Sequence, residues 1–202
     1  MSPIALLVAV AAPQTAPPPP KPPKVDCSDA DHRALDFWIG DWDVFAKGST
    51  KPIAHSRIEK IVGCAISETF DQSIGPNGKP IAYHGRSISA YVPAGSAGSG
   101  GWRQYYVDSG GTAATLTGGI TNGAMIFLSN NGPVTNRMTL KSMGSAVSQR
   151  GEFSTDDGKT WQPAYDFTYW PRVEAVAGVV TLITRRTITG TPTRKAPRKR
   201  HK

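Results

Sequence analysis

Two cysteines in 202 residues, Cys27 and Cys64, leave too few thiols and too wide a gap for a cysteine-rich metal centre. Histidine is almost as scarce. The four are His32, His55, His84 and His201, with no His-x-His or His-Glu-x-x-His among them, so no metal ligand set is expected. The chain also lacks a Gly-x-Ser-x-Gly elbow and a glycine loop able to cradle phosphate, the marks of serine hydrolases and nucleotide-binding enzymes. No apolar run is long enough to span a membrane; the one at residues 4–12 is about half the length required.

A charge excess is missing where it would matter. The net charge is +8, yet residues 26–190 hold fifteen basic and fifteen acidic side chains. The surplus sits in Lys21 and Lys24 and in a tail running from Arg194 to Lys202. Nucleic-acid binding is therefore expected at most through that tail, which has no aromatic interleaving and reads as a solvated, disordered extension over residues 191–202.

What is present divides the chain. Residues 1–11 read as an export signal, with an apolar core and Ala9-Val10-Ala11 as a small-residue cleavage pattern. Two features depart from that pattern: no Lys or Arg precedes the core, and Pro3 sits close to it. Residues 12–27 form a proline-rich linker, a semi-rigid polyproline II spacer. A periplasmic or secreted location follows, and it suits a disulfide between Cys27 and Cys64, with two buried thiols as the alternative. Such a bond closes a loop of about 37 residues.

Residues 28–172 read as one all-β domain. Segments 41–45, 56–62, 65–71, 86–92, 102–108, 113–118, 124–129, 137–143, 146–154 and 161–170 alternate apolar with polar residues or are rich in β-formers. Turn signals separate them: Gly-Pro-Asn-Gly at 75–78, Gly-Gly at 110–111, Asn-Gly at 122–123 and Asn-Asn-Gly-Pro at 130–133. About ten short strands joined by hairpin-length turns predict an antiparallel up-and-down barrel, which removes its edges by closing. Only residues 28–37 look helical, opening at Ser28 or Asp29. Residues 173–190 include a further strand candidate at 179–189.

An ordered series of motifs runs along the domain: His32-Arg33-x-x-Asp36-Phe37-Trp38-Ile39-Gly40-Asp41-Trp42-Asp43-Val44, Ser56-Arg57-Ile58-Glu59, Gly63-Cys64-Ala65-Ile66-x-Glu68, Gly85-Arg86-Ser87 through Tyr91, Trp102-x-Gln104-x-x-Val107-Asp108, and Asp157-Gly158-Lys159-Thr160-Trp161. Across residues 30–170 this series resembles a bacterial family of lipocalin-like, calycin-type barrels of unassigned activity. The resemblance implies that Trp38, Gly40 and Trp42 build the closed end of a barrel, with an arginine, Arg172 or Arg185, against Trp42. It also implies a lumen fit for one small molecule. Some barrels of this type bind haem through a late-strand histidine, but none stands between His84 and His201, so no cofactor is expected.

Candidate ligand contacts follow from the alternation of side chains along strands. Trp102, Gln104, Tyr106 and Asp108 share one face, mixing aromatic surface with hydrogen-bonding groups. Arg57, Glu68 and Tyr91 join them from the family pattern. The alternative is that the charged members close the barrel ends and the aromatics fill the core. Ser154-x-Asp156-x-Gly158-x-Thr160-Trp161 matches the Asp-box of sialidases, a hairpin scaffold in which Asp156 caps amides and Trp161 packs beneath. A single copy predicts a hairpin and no glycosidase chemistry.

The expected function is a small-molecule binding or carrier barrel for a partly apolar ligand. An enzyme using Glu68 or Asp108 as acid or base, and a purely structural barrel, are the alternatives.

Overall fold

The computed structural model describes residues 25–95 and 99–173. Ten antiparallel strands form a closed barrel: β1 (Gly40–Ala46), β2 (Ala54–Lys60), β3 (Ile66–Ile74), β4 (Pro80–Val92), β5 (Gly101–Asp108), β6 (Ala113–Thr121), β7 (Ala124–Asn131), β8 (Val134–Ser142), β9 (Val147–Ser154) and β10 (Gln162–Pro171). Each strand pairs with its sequence neighbours, and β1 pairs with β10 to complete the ring, Val44 lying opposite Tyr169. The expected barrel and strand positions are therefore present. Only β4 departs markedly, starting six residues early because Ile81 and Tyr83 continue its alternation past a register shift at Gln72/Ile74.

The alternation explains the wall. In β1, buried Trp42 and Val44 alternate with outward Asp41 and Asp43, and in β2 Ala54, Ser56 and Ile58 alternate with His55 and Arg57. The β6–β7 hairpin turns on Asn122 and Gly123, at φ 50° and 73°, the paired positive values of a tight two-residue turn.

The chain begins β1 at one end of the barrel, the base, and residues 25–39 lie across it. The helix expected over residues 28–37 is not formed. Successive turns there end in a three-residue 3-10 segment, Asp36–Trp38. Their hydrogen bonds, Asp31 O to Ala34 N, Arg33 O to Asp36 N and Leu35 O to Trp38 N, have the tighter i to i+3 spacing. So short a segment takes its shape from packing more than from propensity. Leu35 and Trp38 are fully buried under the base, and the indole N–H of Trp102 donates to the Asp31 carbonyl at 3.1 Å. A Cys27–Cys64 disulfide, Cα atoms 5.6 Å apart, ties this segment to the β2–β3 connection.

The signal segment, residues 12–24 of the linker, the strand candidate at 179–189 and the basic tail lie outside the described residues. No helix among the described residues is long and apolar enough to cross a membrane.

Candidate functional site in the barrel lumen

The middle of the lumen holds one acid. Glu68 projects inward from β3 and is 6% exposed. Ser56 Oγ donates to its Oε1 at 3.0 Å and Ser87 Oγ to its Oε2 at 3.3 Å. Behind Ser87, Gln104 Nε2 donates to the Ser87 and Ser89 hydroxyls at 3.4 and 3.1 Å, fixing which way Ser87 can point its own proton. Across the barrel the Tyr169 hydroxyl lies 2.7 Å from Gln149 Oε1 and 3.4 Å from Glu68 Oε1. Its single proton is shared between the two oxygens, with the shorter bond to Gln149.

Protonation is favoured. Burial pushes the Glu68 carboxyl up to about 7, although the Ser56, Ser87 and Tyr169 hydroxyls pull the other way. Among the described residues, no lysine or arginine forms an ion pair with it. Arg86 attracts it from the outer face, where its guanidinium pairs with Asp71 and donates to the Phe70 and Gly85 carbonyls.

Toward the mouth, five rings form a collar above Glu68. Tyr165 stacks on Phe167 with centroids 4.9 Å apart, and Phe167 stacks on Phe70 at 6.2 Å. Phe70 meets Tyr83 edge-on at 6.3 Å, and Tyr106 donates a short hydrogen bond to Tyr83. Tyr83 in turn donates to Asp108 Oδ2 at 2.9 Å. Two glycines make room for the collar. A Cβ on Gly151 would lie 2.1 Å from the Tyr165 ring, and one on Gly85 would lie 2.9 Å from the Tyr106 hydroxyl. Burial raises the Tyr83, Tyr106 and Tyr165 phenols above their ordinary range, and the charge of Glu68 adds to it in each case. Acid and collar thus share one electrostatic space. At the mouth, a cleft of about 770 Å³ opens between the β1–β2 loop and the β3–β4 turn, lined by Lys51, Ile53, Ser73 and Ile74 among others.

The sequence-derived candidates divide among three places. Glu68, Gln104 and Tyr106 meet in the lumen. Tyr91 and Trp102 sit at the base, where the Tyr91 hydroxyl donates to Asp31 Oδ2 at 3.0 Å and both side chains hold the N-terminal segment. Asp108 stands at the rim. Burial raises its carboxyl, but the Thr112 amide, the Tyr83 hydroxyl and the Gly110 amide together bring it below the usual carboxylate range, as a turn cap. Arg57 is not in the lumen. Its neighbours Ser56 and Ile58 face inward, so Arg57 faces solvent and pairs with Glu59 at 2.8 Å.

The structural candidates occupy the two ends. Trp38 is fully buried, and Trp42 donates its indole N–H to the Trp38 carbonyl at 2.9 Å. Both meet Tyr169 edge-on, and a Cβ on Gly40 would lie 2.9 Å from the Trp42 ring. Of the two arginines considered for Trp42, Arg185 lies outside the described residues. In the β9–β10 turn, Asp156 accepts from the Thr160 amide and hydroxyl at 2.9 and 2.7 Å, bonds that hold its carboxyl down to about 2. Gly158 packs on Trp161, and the Arg137 guanidinium lies 3.9 Å from the Trp161 ring centre. This is a capped hairpin.

The lumen also contains residues that sequence reasoning missed. Ser56, Ser87, Gln149 and Tyr169 complete the Glu68 network; Phe70, Tyr83, Tyr165 and Phe167 complete the collar. A signal existed for one of them, since Phe70 shares the face of Glu68 at two-residue spacing. No three His, Cys, Asp or Glu side chains converge as a metal-holding group among the described residues. No model of a known protein family and no curated protein matches the chain.

Proposed function

We propose that this is an exported lipocalin-like barrel that binds or carries a small, partly apolar molecule between the aromatic collar and Glu68. The observation that carries this reading is the pairing of a largely buried ring of aromatic side chains with a hydrogen-bonding cluster beneath it. Binding sites combine apolar surface with a few placed polar groups in this way. The disulfide is compatible with an oxidising compartment. Native mass spectrometry of protein purified from its own host tests the reading. A copurifying small molecule that is lost from a Phe167→Ala variant is the expected result; none under several growth conditions counts against a carrier.

A second reading is an enzyme in which Glu68 acts as acid or base. It is favoured by the one observation that burial brings this carboxyl to about 7, where both protonation states are populated near neutrality. Asp108 fits that role poorly, since its oxygens are taken by turn amides and Tyr83. Turnover of a copurified molecule that Glu68→Gln abolishes without loss of binding would establish it.

A further inference from the structure

The lumen is one-sided in charge. Glu68 is a deeply buried acid hydrogen-bonded to the Ser56, Ser87 and Tyr169 hydroxyls, and Asp108 adds a second carboxylate at the rim. Among the described residues of the strands, the basic side chains face outward: Arg57, Arg86, Arg137 and Arg150 pair on the outer surface with Glu59, Asp71, Glu152 and Glu152 respectively. Arg103 shares the outer face with Tyr105 and Val107, and Lys141 is exposed. Lys60 stands at the base and is held by Asp36 at 2.7 Å. Lys51 belongs to the outer cleft beyond the collar.

A buried carboxylate without a cation is costly, and a bound cation would remove that cost. Five aromatic rings packed above the acid add a second preference of the same sign, because ring faces attract ammonium groups. We propose that the lumen recognises a small organic cation, an ammonium on an apolar body, with the charge between the collar and Glu68 and the apolar part toward the mouth. This rests on the binding-barrel reading and narrows it to a ligand class. A neutral ligand would leave the ionised acid uncompensated, and an anion would meet two carboxylates and, among the described residues of the strands, no inward cation.

The test uses the whole protein and three probes of similar shape: benzyltrimethylammonium, its neutral isostere neopentylbenzene, and phenylacetate. Binding is followed by NMR shifts and calorimetry. Benzyltrimethylammonium is expected to bind at least about tenfold more tightly than the other two, and Glu68→Gln to erase the preference. The probe keeps its charge at every pH, so its affinity reads the protein alone. Between pH 6 and 8 the ionised share of Glu68 rises from about a tenth to about nine-tenths, and affinity should rise about tenfold. The other groups facing the site do not titrate there. Tyr83, Tyr106, Tyr165 and Tyr169 are raised above an already high range, and Asp108 is ionised throughout. Phe167→Leu keeps the acid and should weaken the cation several-fold without changing the slope with pH.

Equal or tighter binding of neopentylbenzene or phenylacetate overturns the cation proposal and leaves a binding barrel standing. A preference for the cation that ignores Glu68→Gln and pH overturns it as well. If none of the three binds, the proposal falls, and N-phenyl-1-naphthylamine, a neutral apolar fluorophore, decides the rest. Its binding in a manner weakened by Phe167→Leu preserves the barrel reading; its failure removes both.

Discussion

Glu68 couples the lumen to the stability of the whole fold. Its carboxyl ionises near 4.5 when exposed and near 7 in the barrel, so the folded state holds the proton more tightly. The contribution is present below the unfolded value and is lost as pH rises through about 7. A gap of this size corresponds to roughly 3 kcal/mol. Urea midpoints should fall between pH 5 and 8 in the native protein and stay nearly level in Glu68→Gln, which keeps the shape and removes the titration. An unchanged slope in the variant would assign the pH dependence to other groups. Part of this site was readable from the sequence. Alternation along β5 places Gln104 and Tyr106 on one face. Ser56, Gln149 and Tyr169 were not readable, because their meeting depends on closure of the ring and on the registers Ser56 to Phe70 and Gln149 to Phe167. Arg57 shows the converse error. A residue drawn from a motif carries no face with it, and the alternation of β2 turns this one outward.

Single elements carry loads that the wall as a whole does not reveal. The N-terminal segment is held by the disulfide and by the contacts of Tyr91 and Trp102 with Asp31. Reducing the disulfide, or a Cys27→Ser/Cys64→Ser pair, should cost about 3–4 kcal/mol by freeing a 37-residue loop in the unfolded chain. Amide exchange should quicken first in residues 25–39. Strand β6 depends on Gly118, where a Cβ would come within 1.8 Å of the Ile126 carbonyl oxygen on β7. No side-chain rotation relieves a clash with backbone, so Gly118→Ala should lower stability by about 2 kcal/mol or more, read from the urea midpoint at constant slope. The same substitution at Gly119, where no atom lies within 4 Å, should be nearly silent. The element hardest to foresee was the start of β4. Turn chemistry around Gly78 was plain, but it placed the loop end too late and left Tyr83 outside the strand, and with it part of the collar.

For the whole molecule, the pattern of strands and turns was legible because hairpin signals are local, while the contents of the lumen were not because they assemble from strands far apart in sequence. Closure is the most distant event of all: Trp42 lies opposite Pro171, so neither β1 nor β9 has both neighbours until the last strand is in place. A chain ending at residue 160 should therefore expose two long edges and associate, which light scattering on the truncated protein would reveal against a monodisperse control. An even number of antiparallel strands has one more result. β1 starts at the base and β10 stops there, so the chain enters and leaves the barrel at its foot. Entry and exit strands therefore share the closed end, and the rim opposite is built from chain-reversing turns alone.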